Sequence, residues 1–150
     1  MDDRLIDSDR LTLERRSLLP GEGFFYPDSL QQERAEQEAV TAFAEADTVV
    51  IADPDADGLA CTALIREARG EGVLVPAGPH ELDTAIEWAA EYGQPGVSVF
   101  VCDLCPDSPE DVAALPALAD RAGRVVWFDH HQWDPDLRNL VEEAGVDLTV

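Results

Sequence analysis

Hydrophobic runs of two kinds alternate along this chain. Short apolar, β-branched stretches at Thr48 to Ala52, Val73 to Val75, Val97 to Cys102, Arg124 to Phe128 and Val146 to Val150 are separated by longer segments with a helical period. Apolar runs of this length read as strands buried on both faces, and the intervening segments as helices near 58–69, 80–92, 109–122 and 134–144. Upstream, Asp28 and Ser29 offer caps for an acidic helix over 29–46, with Leu30, Ala35, Val40 and Phe43 as inner positions. Strand–helix alternation with connections this short predicts right-handed crossovers and an α/β fold, a three-layer sandwich around a mainly parallel sheet. Residues 1–46 divide into an arm or strap over 1–26 and the acidic helix, and residues 47–150 form the domain proper. Val150 falls inside an apolar strand pattern, so the domain is expected to be incomplete at its C-terminal end and the chain to be the front part of a longer protein.

Composition narrows the setting. The 150 residues carry 10 Lys plus Arg against 32 Asp plus Glu, a formal charge of −22, and every basic residue is arginine. Such a surface suits a salt-rich, halophilic cytosol, where the Debye length falls to about 3 Å at 1 M salt and self-repulsion is screened. A disordered acidic chain is the alternative, and the 45% hydrophobic content with clear periodicity argues against it. No run approaches the roughly 18 apolar residues of a membrane span, and the acidic start is no signal peptide, so a cytoplasmic protein without a membrane partner is expected. Cys61, Cys102 and Cys105 cannot form a disulfide framework. The Cys102-x-x-Cys105 spacing fits redox or zinc chemistry but has no second pair, which favours ordinary packing.

The chemistry gathers at strand ends. Asp53-Pro54-Asp55-Ala56-Asp57-Gly58 follows the first strand, Asp103 the third, and Asp129-His130-His131 the fourth. Open α/β sheets bind ligands at the C-terminal edge of their strands, and carboxylate oxygens mixed with imidazole suit manganese or magnesium. In an extended segment, carboxylates two residues apart share a face at about 6.6 Å. Two of them repel by roughly 2–3 kcal/mol at an effective dielectric near 20, a cost that a divalent cation converts into binding. Taken alone, the triplet reads equally well as a solvated acidic turn. It also matches the opening of an EF-hand loop, but the twelfth position is Leu64 and a strand precedes it, so that reading fails. Two consecutive histidines in an extended segment point to opposite sides, so one can bind metal while the other faces substrate. His80, beside Pro79, reads as structural. The Gly-x-Ser-x-Gly elbow, the Gly-x-Gly-x-x-Gly fingerprint and the P-loop are absent from the sequence.

Asp55-x-Asp57-Gly58, then a strand-end Asp103, then Asp129-His130-His131, resembles in order the DHH phosphoesterase superfamily over roughly residues 47–150. That superfamily includes RecJ-like exonucleases, nanoRNases, cyclic-dinucleotide phosphodiesterases and manganese pyrophosphatases. The resemblance implies two divalent cations, manganese foremost and magnesium next. It makes Asp55 and Asp57 ligands of different metals, Asp103 the bridging carboxylate, and His130 a ligand of the metal shared with Asp57. It puts His131 on the scissile phosphate and makes Asp129 the residue that orients the histidines. Many members carry a histidine two or four residues before the first motif Asp, where this chain has Asp53 and Ile51, so Asp53 becomes a candidate replacement ligand. The family's fourth motif, an Asp, and its substrate-binding domain would lie beyond Val150. The implied function is hydrolysis of phosphodiester bonds in single-stranded nucleic acid or short oligonucleotides. The alternatives are a cyclic-dinucleotide or small phosphate-ester hydrolase, and a catalytically inert binding module of the same fold.

Overall fold

The computed structural model describes residues 28–150. The arm expected over 1–26 lies outside the described residues, as do the side chains of Asp28 and Ser29, expected as caps. The chain divides into two units, Met1–Gln37 and Glu38–Val150, so the second unit takes in the last turns of helix α1 (Asp28–Glu45). Those turns belong to it because Ala39, Phe43 and Ala46 are buried in its core. Phe43 is inside as expected and Val40 half-buried, whereas Leu30 and Ala35 are exposed.

After α1 come β1 (Thr48–Ala52), α2 (Ala56–Arg69), β2 (Val73–Pro76), α3 (Leu82–Tyr92), β3 (Ser98–Cys102), α4 (Leu115–Arg121), β4 (Arg124–Phe128), α5 (Pro135–Glu143) and β5 (Asp147–Thr149). The five strands form one sheet in the order β2-β1-β3-β4-β5, and every pairing is parallel. The fold is therefore α/β, as the alternation predicted. Alternate strand residues serve two cores. Val49, Ile51, Val99, Val101, Val125 and Trp127 face α1, α3, α4 and α5, whereas Val50, Ala52, Phe100, Cys102 and Val126 face Ile65 of α2. The one connection that runs leftward, β1 to β2, crosses on the α2 face, and those running rightward cross on the other, as a single crossover hand requires. Among the described residues, no helix is long and apolar enough to cross a membrane.

Two helices differ from the periodicity. The segment expected as one helix over 109–122 is a 3₁₀ turn, Pro109–Val112, followed by α4. Pro116 has no N–H to give a continuous helix, and it is tolerated because it sits in the first turn of a new one. Helix α2 begins at Ala56, ahead of the expected 58, because the Asp55 side chain caps it, accepting from Gly58 N at 2.9 Å.

Candidate metal centre

Strand register sets the site. Ala52, Cys102, Phe128 and Thr149 pair in one row across β1, β3, β4 and β5. The residues one step beyond that row on β1, β3 and β4 are Asp53, Asp103 and Asp129. Three aspartates thus end three neighbouring strands at the same level, on strands spaced about 4.8 Å apart. The strand order reverses between β1 and β3, and this is the switch point where doubly wound sheets open a ligand crevice.

Asp103 leaves β3 in the left-handed region, at φ 56°, the one non-glycine residue with positive φ among the described residues. Its N–H donates to Phe128 O at 2.9 Å, and its side chain is 10% exposed, with Oδ1 2.9 Å from His130 Nε2. His130 and His131 meet edge to face, with ring centroids 4.5 Å apart. His131 Nδ1 lies 2.6 Å from Oδ1 of Asp129, whose side chain is fully buried, and Trp133 Nε1 donates to the other oxygen at 2.7 Å. Ligand atoms of Asp103, Asp129, His130 and His131 all lie within 4.8 Å of one another. A cation could be held at such a set through Asp103 and His130, while Asp129 is engaged on both oxygens.

The acidic triplet is arranged differently from an extended run. Asp53 ends β1 half-buried, Asp55 is the α2 cap and Asp57 lies in its first turn, the last two exposed. Capping geometry prevails because a helix start must satisfy its free N–H groups, and Asp55 does so at Gly58 N. Asp53, Asp55 and Asp57 stand outside the tight four-residue group, yet they act on it. Burial pushes the Asp103 carboxyl above its ordinary value of 3.8; Asp55 and Asp57 raise it further, and His130 and His131 hold it back. Burial also raises Asp53, helped by Asp55, Asp103 and Glu81. Carboxylates held together at this edge resist ionising together, and a cation relieves that resistance.

Glu81 was not signalled by the sequence. It sits in the 3₁₀ turn Pro79–Glu81 after β2 and accepts from Gly78 N at 2.9 Å, and only the fold brings it within reach of Asp53. His80 is exposed on the same turn. Cys61 and Cys102 meet side chain to side chain, and Cys105 lies apart. Cys102 is buried beneath α2 with Cys61 packed against the same core, while Cys105 Sγ faces Gln132 O at 3.9 Å. Burial, then Cys61, pushes the Cys102 thiol up to about 12, and burial with Asp129 pushes Cys105 up to about 11. Thiols so shifted are poor nucleophiles and poor metal ligands, which fits the packing role expected of them. A cavity of about 290 Å³ bordered by Glu45, Thr48, Glu71 and Val73 opens at the other edge of the sheet, where β1 and β2 begin, and contains none of this chemistry.

Comparisons with protein-family models, with curated proteins and with solved structures find no match to this chain. Motifs and geometry alone speak to its function.

Proposed function

We propose that this protein is a two-metal phosphoesterase of the DHH type, acting on phosphodiester bonds of short oligonucleotides or single-stranded nucleic acid. The observation that carries the reading is the convergence of Asp103, Asp129, His130 and His131 beyond the C-terminal ends of β3 and β4, next to the switch point, with Asp55 and Asp57 on the adjoining helix start. The donor set fits hard divalent ions, manganese before magnesium and ahead of zinc, because oxygens outnumber nitrogens and the thiols lie elsewhere. Asp55, Asp57, Asp103 and His130 would hold the ions, with Asp53 as the candidate further ligand. Such ions supply charge neutralisation on the phosphate and a more acidic attacking water. His131 would contact the scissile phosphate, and Asp129 would keep its ring in place.

Charge distribution favours small substrates. Arg66 and Arg69 lie in the last turn of α2, Arg121 in that of α4, and Arg124 opens β4. These positions lie toward the N-terminal edge of the sheet, roughly 16 Å from the site along a five-residue strand. Arg69 donates to Ser98 and Arg124 pairs with Asp147. Arg138, in α5 just past the end of β4, is paired with Glu142 at 3.2 Å, so among these described arginines little could grip a long polyanion; a single phosphodiester clamped by metal is easier to accommodate. The deciding experiment offers dinucleotides, longer single strands and cyclic dinucleotides to the protein with manganese, magnesium or a chelator. Manganese-dependent cleavage, fastest on the shortest linear substrates, is expected. Activity that survives exhaustive chelation, or none with any ion, would remove the mechanism.

A further inference from the structure

Asp129 is bound on both oxygens. Its side chain has no exposure, Trp133 Nε1 reaches Oδ2 at 2.7 Å, and His131 Nδ1 reaches Oδ1 at 2.6 Å. An indole N–H can only donate, so Oδ2 is committed as an acceptor. Trp133 is itself held edge to face on Trp127, with centroids 5.2 Å apart and planes at 80°. Trp127 is buried and donates to Leu104 O at 2.9 Å, beside Asp103. On the other side, Asp134 caps α5 by accepting from Asp136 N and Leu137 N. The indole is thus held by Trp127 across its ring and by Asp129 at its N–H, and the residue after it is anchored by the α5 cap.

We propose that Trp133 is a positioning residue: acting through Asp129, it holds the His131 proton on Nδ1 and leaves the Nε2 lone pair on the half-exposed side of the ring. Which imidazole nitrogen carries the proton is set by the hydrogen bond the other end makes. A phenylalanine at 133 would keep the ring stacking and lose the N–H, so the indole nitrogen is the part with a function. The meaning for catalysis rests on the phosphoesterase reading, since Nε2 is the atom that would meet an ion or, once it carries a proton, a phosphate. The relay itself stands on geometry.

The Asp129→Asn variant makes the idea testable. If Trp133 claims the amide oxygen, the amide NH₂ must face His131 and donate to Nδ1, which forces the proton to Nε2. Histidine ¹⁵N shifts are measured on the whole chain with chelator, at a pH where the imidazoles are neutral, with exposed His80 as internal reference. The wild type should show His131 with Nδ1–H, Asp129→Asn should invert it, and adding Trp133→Phe to Asp129→Asn should give a mixture, because the freed amide can flip. Wild-type His131 carrying Nε2–H, an Asn variant that keeps Nδ1–H, or a double variant indistinguishable from the single one would each overturn the proposal. Should the variants fail to fold, the wild-type tautomer and slow exchange of the Trp133 indole proton decide alone. Manganese-dependent hydrolysis, followed in parallel, should fall about 10- to 100-fold in Asp129→Asn. Its absence in a wild type with the stated tautomer would count against the phosphoesterase reading and leave the relay standing.

Discussion

Replacing Gly58 with alanine tests how the first motif is built. Gly58 lies inside α2, so its hydrogen is needed for space and not for an unusual backbone angle. A Cβ there would sit 1.8 Å from the Asp53 carbonyl oxygen, 2.9 Å from the Asp53 carbonyl carbon and 3.2 Å from Ala52 Cβ. Reaching even about 3.0 Å needs a shift of about 1.2 Å in main chain, and overpacking of this kind costs about 3 kcal/mol at the upper end of its usual range. Higher helix propensity returns about 1 kcal/mol, leaving a net loss of about 2 kcal/mol, or roughly a 30-fold drop in the folded-to-unfolded ratio. The shift also moves the helix start that carries Asp55 and Asp57, so manganese affinity should fall with stability.

Urea unfolding in high salt measures the first effect, as a lower midpoint at unchanged slope, and manganese titration measures the second. Gly70→Ala is the control. Gly70 ends α2 at φ 78° with nothing within 4 Å of the added carbon, so alanine there should cost about 1 kcal/mol through strain and leave metal binding alone. A Gly58→Ala protein as stable as the wild type, binding manganese equally, would refute the packing argument.

Asp103→Asn should abolish manganese-dependent hydrolysis while the chelated protein melts at the same temperature or higher, because one crowded charge is gone and asparagine tolerates the left-handed backbone; retained activity would exclude the bridging role. Asp53 and Asp103 have raised carboxyls, so the folded state binds more protons there and metal-free stability should fall as pH rises from 3.8 through their folded values. His131 is raised first by its hydrogen bond to Asp129; the stability it adds is complete below 6.5 and is lost as pH rises through its folded value, a second decline that thermal melts of Asp129→Asn should not show. With −22 of formal charge, melting temperature should climb between about 0.1 and 1 M salt as the Debye length shrinks; a flat response would dismiss the salt-adapted reading.

The strands could be read from the sequence because a buried parallel strand needs an uninterrupted β-branched run, and Thr48 to Ala52 and Arg124 to Phe128 supply them. The level of the site was legible for the same reason: in-register strands that end in aspartate place Asp53, Asp103 and Asp129 side by side. Local competition was harder to see. Asp55 could have continued an extended run, but an uncapped helix start costs more than a turned side chain, and the triplet splits. Pro116 looked compatible with one helix and instead starts a second. Trp133 and Glu81 gave no signal, because their roles depend on which residues the crossovers bring opposite them, and no periodicity encodes that.

Asp103 joins these observations. A non-glycine residue in the left-handed region costs roughly 1–2 kcal/mol, less for aspartate, and glycine would remove that cost. Glycine has no carboxylate, however, and the proposed function asks that the chain turn off β3 while a ligand group points into the crevice. Asp103 meets both needs: its N–H closes onto Phe128 O, and its side chain turns toward His130. Burial, crowding by Asp55 and Asp57, and backbone strain all act on this residue in the metal-free protein. A divalent cation would oppose the crowding directly, and salt would screen the more distant charges. On the proposed function, strain and charge concentrated at one strand end are the free-state cost of an ion site, and Asp103→Gly offers the complement to Asp103→Asn. The glycine variant should be more stable than the wild type in chelator and lose that advantage when manganese is added. An advantage that persists at saturating manganese would mean that Asp103 shapes the turn and holds no ion.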